Sequence, residues 1–295
     1  MKKLDGKTAI ISGGAEGIGL GIATVLGRYG MNIVIADINA EQLEKAKRNL
    51  EQSGTPVLAV SLDVVAVEQW RAVAEQAIDR FGKVHMLVNN AGVGGVPRPI
   101  DTSSEQDWRW IVDVNLMGVV NGAQTVIPLI KAHGEGGWVV NVASMAGFVP
   151  LPMASAYSAT KAAVVAMSES WHVELQDQNI HVAVLCPGFV KTRINLSQRN
   201  RQAQYESDEI SESGSKLQAK LGQQMQSVLD AGAPPELIAE RVVEAIAAKE
   251  LYIVTHPNFR SAVDARFSAI NKCFKRAESS PLLVDIVKQK IPGLD

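Results

Sequence analysis

The chain has 295 residues, 46% of them hydrophobic and 20% charged, which suits one large α/β domain, or one domain with an appendage, around a real core. A formal charge of −2 offers no basic excess and argues against a nucleic-acid partner. Two cysteines, Cys186 and Cys273, make no disulfide framework. No apolar run is long enough to span a membrane, and the first one ends too soon in glycines to be a signal peptide, so a cytoplasmic location is expected.

Along the first 190 or so residues, short Val-, Ile- and Leu-rich runs alternate with longer amphipathic segments. The runs Thr8–Ser12, Asn32–Ala36, Val57–Leu62, Met86–Val88, Gly137–Val142 and His181–Cys186 read as strands buried on both faces. Segments such as Gly17–Tyr29, Ala40–Ser53 and Ala154–Glu174 read as helices, and Leu251–Thr255 adds an edge strand. This alternation predicts a parallel sheet wound on both faces. Residues 195–232, rich in Gln, Ser, Glu and Lys, follow a strand's carboxyl end and are expected to form a substrate lid. Residues 256–295 form a C-terminal extension with a helix over Ser261–Lys275.

The first strand leads into Gly13-Gly14-Ala15-Glu16-Gly17-Ile18-Gly19. Glycine lets this turn tighten and approach a ligand, and the next helix presents unpaired N–H groups to a pyrophosphate. The second strand ends at Asp37, whose carboxylate can accept both ribose hydroxyls of an adenosine and would repel a 2′-phosphate. Glu16 adds a second negative charge, and no cation sits at Ile38 or Asn39. NAD is therefore favoured over NADP. Asp63 and Val64 reach the adenine side, although Asp63 also suits a helix cap. Asn89, Asn90, Ala91 and Gly92 end the fourth strand with small residues that admit a cofactor.

Tyr157 and Lys161 fall on one helix face. A lysine ammonium beside a phenol, with the charge of an oxidised nicotinamide, should bring the tyrosine towards a useful acid/base range. Lys161 can also hold the nicotinamide ribose, and Ser144, at the end of the fifth strand, can hydrogen-bond a substrate oxygen. The five histidines share no metal-ligand spacing, so no metal is expected.

The set Gly13, Gly17 and Gly19, Asn89-Asn90-Ala91-Gly92, Asn115, Ser144, Tyr157, Lys161 and Pro187-Gly188 resembles the short-chain dehydrogenase/reductase family over about residues 4–193. Ser12 stands where that family usually has Thr. The resemblance implies a Rossmann-like sheet of seven parallel strands, with Ser144, Tyr157 and Lys161 catalytic and Asn115 supporting a water that relays protons from the lysine. It further implies that Pro187, Gly188, Val190 and Thr192 lie beside the nicotinamide. A homodimer or homotetramer is implied too, with Trp108, Trp110 and Trp171 on the helices that form the family's dimer interface or else in the core.

The segments around the catalytic trio offer Val93, Gly94, Met145, Phe148, Met153, Phe189 and Ile194 as a mostly apolar substrate pocket. Arg98 and Arg193 could meet an anionic group, although solvated surface is the favoured reading for each. The stretches Trp108–Val119, Ala143–Gly147 and Thr255-His256-Pro257 are similar to bacterial dehydrogenases of the benzylic Cα alcohol in lignin-type β-aryl ethers. The expected activity is NAD-linked oxidation or reduction of a bulky, hydrophobic secondary alcohol or ketone. Steroid or hydroxyacyl substrates, and a non-catalytic NAD sensor, stay open beside it.

Overall fold

The computed structural model describes residues 4–206 and 222–289. It forms two compact units, Met1–Thr255 and His256–Asp295, so the catalytic fold ends at Thr255 and the expected extension is a unit of its own. Residues 207–221 of the expected lid lie outside the described residues.

In the first unit, seven strands pair in parallel in the order β3-β2-β1-β4-β5-β6-β7. They are β1 (Thr8–Ser12), β2 (Asn32–Asp37), β3 (Val57–Ser61), β4 (Met86–Asn89), β5 (Gly137–Val142), β6 (Ile180–Cys186) and β7 (Tyr252–Val254). β2 extends through Asp37, which pairs with Ser61. The helices are α1 (Gly17–Arg28), α2 (Ala40–Gln52), α3 (Val67–Phe81), α4 (Glu105–Val112), α5 (Gly118–Ala132), α6 (Ser155–Leu175), a helical stretch at 222–230 (α7) and α8 (Pro235–Ala248). The hydrophobic sequence period explains each type. α2, for example, buries Leu43, Ala46 and Leu50 on one stripe, and its cap residue Asn39 accepts a bond from the Gln42 amide at 3.1 Å.

Alternation along the strands divides the core into two layers. Ile11, Ile33 and Ile35 face one layer with Ile22, Leu26 and Val242 from α1 and α8. Ile10, Val34 and Leu87 face the other, with Trp70 of α3 and Trp110 of α4. Trp110 has no exposed surface within the chain, so it packs the core rather than an interface. α1 and α8 approach so closely that a Cβ on Gly21 would lie 2.8 Å from the Pro235 carbonyl oxygen. The second unit carries α9 (Arg260–Glu278) and α10 (Val284–Val287). Among the described residues no helix is long and apolar enough to cross a membrane.

Candidate active site

The principal cleft opens at the carboxyl ends of the strands, where parallel α/β sheets bind ligands. Gly13, Glu16, Gly17, Ile18, Asp37, Ile38, Asp63, Val64, Asn90, Ala91, Gly92, Ser144, Tyr157, Lys161, Pro187, Gly188, Val190 and Thr192 all line it. Ala15 and Gly19 sit behind this lining.

The glycine turn is shaped by close approach. Gly13 has φ +62°, and a Cβ there would fall 2.8 Å from the Ala91 Cα. A Cβ on Gly19 would fall 2.1 Å from the Gly13 oxygen. Only glycine fits at either place. Ser12 ties the turn to β4: its Oγ accepts from the Asn90 and Ala91 amides at 3.1 and 3.2 Å. The Asn90 side chain donates to the Ser12 and Gly13 carbonyls at 3.0 and 2.8 Å. Asp37 accepts from the Ala15 amide at 3.1 Å and the Asn39 amide at 3.0 Å. Burial pushes its pKa above the ordinary carboxylate value, and those amides offset only part of the rise. The narrow glycine cradle, a helix N-terminus and a fixed carboxylate fit the pyrophosphate and ribose of a dinucleotide.

A buried polar thread joins this end to α6. The Asn89 amide donates to Asn141 Oδ1 at 2.9 Å, and the Asn141 amide donates to Ser168 Oγ at 3.0 Å. It crosses from β4 through β5 to α6, which carries Tyr157 and Lys161. Lys161 Nζ donates to the Val142 carbonyl at 2.9 Å and lies 5.6 Å from the centre of the Tyr157 ring. Burial pushes Lys161 down to about 8. Burial also pushes the Tyr157 phenol above its ordinary value, and a hydrogen bond with Ser144 offsets part of that. Desolvation of the phenolate therefore dominates within the protein's own groups, and the expected lowering by Lys161 is not seen.

Asn115 lies in a π-helical turn, Asp113–Met117, and is fully buried. Its Oδ1 accepts from the Val93 amide at 2.7 Å and its Nδ2 donates to the Val93 carbonyl at 2.9 Å. It therefore fixes the chain just after Gly92. A Cβ on Gly92 would lie 3.3 Å from Asn115 Oδ1 and 3.5 Å from Lys161 Nζ, so both atoms flank one point.

The expected substrate residues disperse. Val93 and Ile194 line the main cleft, while Gly94 and Met153 line a smaller cavity on another side of Tyr157. Met145, next to Ser144 in the chain, is buried. Phe148 meets Tyr252 edge to face, with ring centres 6.1 Å apart, and Phe189 is exposed. Residues 195–206 of the expected lid reach the cofactor end. Gln202 donates to both Asp63 oxygens at 3.0 Å and accepts from Trp110 Nε1 at 2.9 Å. Tyr205 donates to Asp113 at 2.8 Å, and Arg201 pairs with buried Asp107 over the Trp110 ring.

One expectation about charge is corrected here. Arg193 is exposed, as expected, and with Arg199 it pairs with Glu16. Glu16 is thereby neutralised and adds no free negative charge against a phosphate, which leaves that role to Asp37. Arg199 and Gln202 were not expected in the site. A signal existed in residues 191–201, where Lys191, Arg193, Arg199 and Arg201 occur without one acid.

The histidines also gather unexpectedly. His85, His133 and Glu135 bring ligand atoms within 4.8 Å of one another. The Thr8 amide donates to His85 Nδ1 at 3.1 Å, so the ring proton is on Nε2 and donates to Glu135 at 3.2 Å. The Glu135 amide donates to His133 Nδ1, whose Nε2 donates to the Val84 carbonyl at 2.9 Å. Glu135 also accepts from Lys7 and Lys83. Hydrogen bonds thus account for both ring nitrogens of His85 and of His133 without an ion.

A profile of the family described as short chain dehydrogenase matches residues 7–203. The chain is 34% identical over 282 residues to the C alpha-dehydrogenase of Sphingobium sp. (strain NBRC 103272 / SYK-6), covering 95% of this chain and 90% of that one. It is 34% identical over 275 residues to the CLA biosynthesis dehydrogenase/reductase of Lactiplantibacillus plantarum, covering 92% and 95%. A crystal structure of a short chain dehydrogenase/reductase from Burkholderia phymatum in complex with NAD superposes with a TM-score of 0.87 at 34% identity, covering 92% and 96%.

Proposed function

The chain belongs to the short chain dehydrogenase family, and on that premise we propose that it is an NAD-dependent dehydrogenase of a bulky, hydrophobic secondary alcohol, of benzylic type. One observation carries the reading: Ser144, Tyr157 and Lys161 line the same cleft as a glycine cradle and Asp37.

The nicotinamide, when bound, supplies the hydride acceptor or donor. The chain's own groups handle the proton and the oxygen. Tyr157 takes the alcohol proton in oxidation and returns it in reduction. Ser144 Oγ donates to the same substrate oxygen and steadies its developing charge. Lys161 supplies positive charge beside the phenol, and its low pKa lets it pass a proton onwards near neutrality. Asp37 accepts the ribose hydroxyls and opposes a 2′-phosphate, which favours NAD over NADP. Val93, Val114, Val142, Ile194 and Leu229 make much of the cleft wall apolar, which supports a hydrophobic substrate. The likeness to a C alpha-dehydrogenase along 95% of the chain supports the benzylic class. Homo-oligomeric assembly belongs to the same reading.

The test is turnover with NAD, and separately NADP, against benzylic β-aryl ether alcohols, steroids and hydroxyacyl esters, followed by NADH or NADPH absorbance. NAD-linked oxidation of the benzylic class is expected. Preference for another class moves the substrate assignment, and silence with both cofactors removes the enzymatic reading.

A further inference from the structure

Among the described residues, the charges lining the main cleft are three carboxylates, Glu16, Asp37 and Asp63, and three cations, Lys161, Arg193 and Arg199. Lys161 is committed to the catalytic end by its bond to Val142. A dinucleotide brings two further negative charges on its pyrophosphate. Without the two arginines, that dianion would enter a cleft already negative, and low-dielectric walls would sharpen the repulsion. With them, the fixed charges of the lining balance.

The position of the two arginines is as telling as their number. Glu16 is the cap residue of α1, yet its side chain makes no cap bond to the helix amides. It turns to the segment after β6 instead. Arg193 Nε donates to Glu16 Oε2 at 2.8 Å with its Nη2 alongside, and Arg199 Nη2 donates to Oε1. Two guanidinium groups on one carboxylate leave a net positive charge beside the N-terminal amides of α1. The bonds seen among the described residues do not use all five N–H donors of either guanidinium. Thr192 brings the segment onto the turn: a Cβ on Gly17 would lie 3.1 Å from Thr192 Cγ2.

We propose that Arg193 and Arg199 are pyrophosphate-binding residues of the cofactor cleft, held in place by Glu16. The inference rests on the dinucleotide reading above. Glu16 orients both side chains, and their remaining donors, with the amides of α1, meet the phosphate oxygens. Fork-shaped guanidinium donors suit such oxygens better than an ammonium does. Affinity for the cofactor is therefore set partly by a segment distant from the glycine turn in sequence.

NADH and ADP-ribose binding to the full chain should be titrated at low and high salt for the wild type, Arg193→Ala, Arg199→Ala and Arg199→Lys. Arg199 also donates to the Arg193 and Leu196 carbonyls, so Arg193→Ala, which disturbs no such local bond, is the cleaner variant. Each alanine variant should weaken both ligands about tenfold at low salt, as expected for one lost charge-assisted bond. The salt dependence should flatten, because a screened charge pair has been removed. Arg199→Lys should recover part of the loss. Wild-type affinity in Arg193→Ala, or an equal loss at low and high salt, overturns the inference and leaves the dinucleotide reading intact. A wild-type chain that binds neither ligand overturns both.

Discussion

At the carboxyl ends of the strands, Asp37, Ser144, Tyr157 and Lys161 all line an open cleft. At the amino ends, just before β1, β4 and β5, the Glu135 carboxylate accepts from Lys7, Lys83 and His85, while His85 and His133 also bond to nearby backbone. Both ends shift pKa values: Lys161 is pushed down to about 8, and Glu135 down to about 2. A perturbed titration therefore does not by itself mark a reactive site here. What separates the two ends is a cleft into which the polar atoms can act.

That contrast can be pressed hardest at Tyr157. Tyr157→Phe keeps the ring and removes the proton carrier, so kcat should fall by about 10²–10⁴-fold. NADH affinity, followed by fluorescence titration, should stay near wild type. A matching loss of affinity would mean that the catalytic and cofactor halves are not separable. Asp37→Ala comes next: NADH should bind about ten- to a hundredfold more weakly, with NADPH hardly changed. Equal losses for both would take the ribose-binding role away from Asp37.

The amino end should answer to acid and to melting, and not to turnover. His85→Leu strands the buried Thr8 amide and should cost about 1–3 kcal/mol in denaturant unfolding, with cofactor affinity unchanged. Burial lowers the His85 pKa from 6.5. The unfolded chain then binds the proton more readily, so this contribution is complete above pH 6.5 and is lost as pH falls below it. Glu135 is lowered from 4.5 to about 2, and its contribution is lost between those values as pH falls. Stability curves against pH for His85→Leu should lack the first decline. If the decline persists, another group carries it.

How much of this the sequence disclosed depends on the range of each interaction. The strands, the glycine turn and the spacing of Tyr157 and Lys161 follow from local periodicity and steric need, so their residues were readable. Asn115 was readable only by resemblance, because its partner Val93 lies in a different segment. Arg199 on Glu16, Gln202 on Asp63 and His85 on Glu135 join residues from distant parts of the chain, and no period in the sequence connects them. Phe189 and Phe148 are expected in the pocket because their segments flank the catalytic trio and are apolar. An apolar side chain on a loop can turn to a neighbour or to solvent as readily as to a ligand.

The thread from Asn89 through Asn141 to Ser168 bears on assembly as well as on shape. Asn89 and Asn141 stand opposite each other in the β4–β5 pairing. A slip of one residue would turn one of them to the other face of the sheet and leave amide groups buried without partners. Packing of Val, Ile and Leu alone would tolerate that error more cheaply. The two asparagines thus act as a check on alignment, setting a polar penalty on any misregistered pairing of β4 with β5.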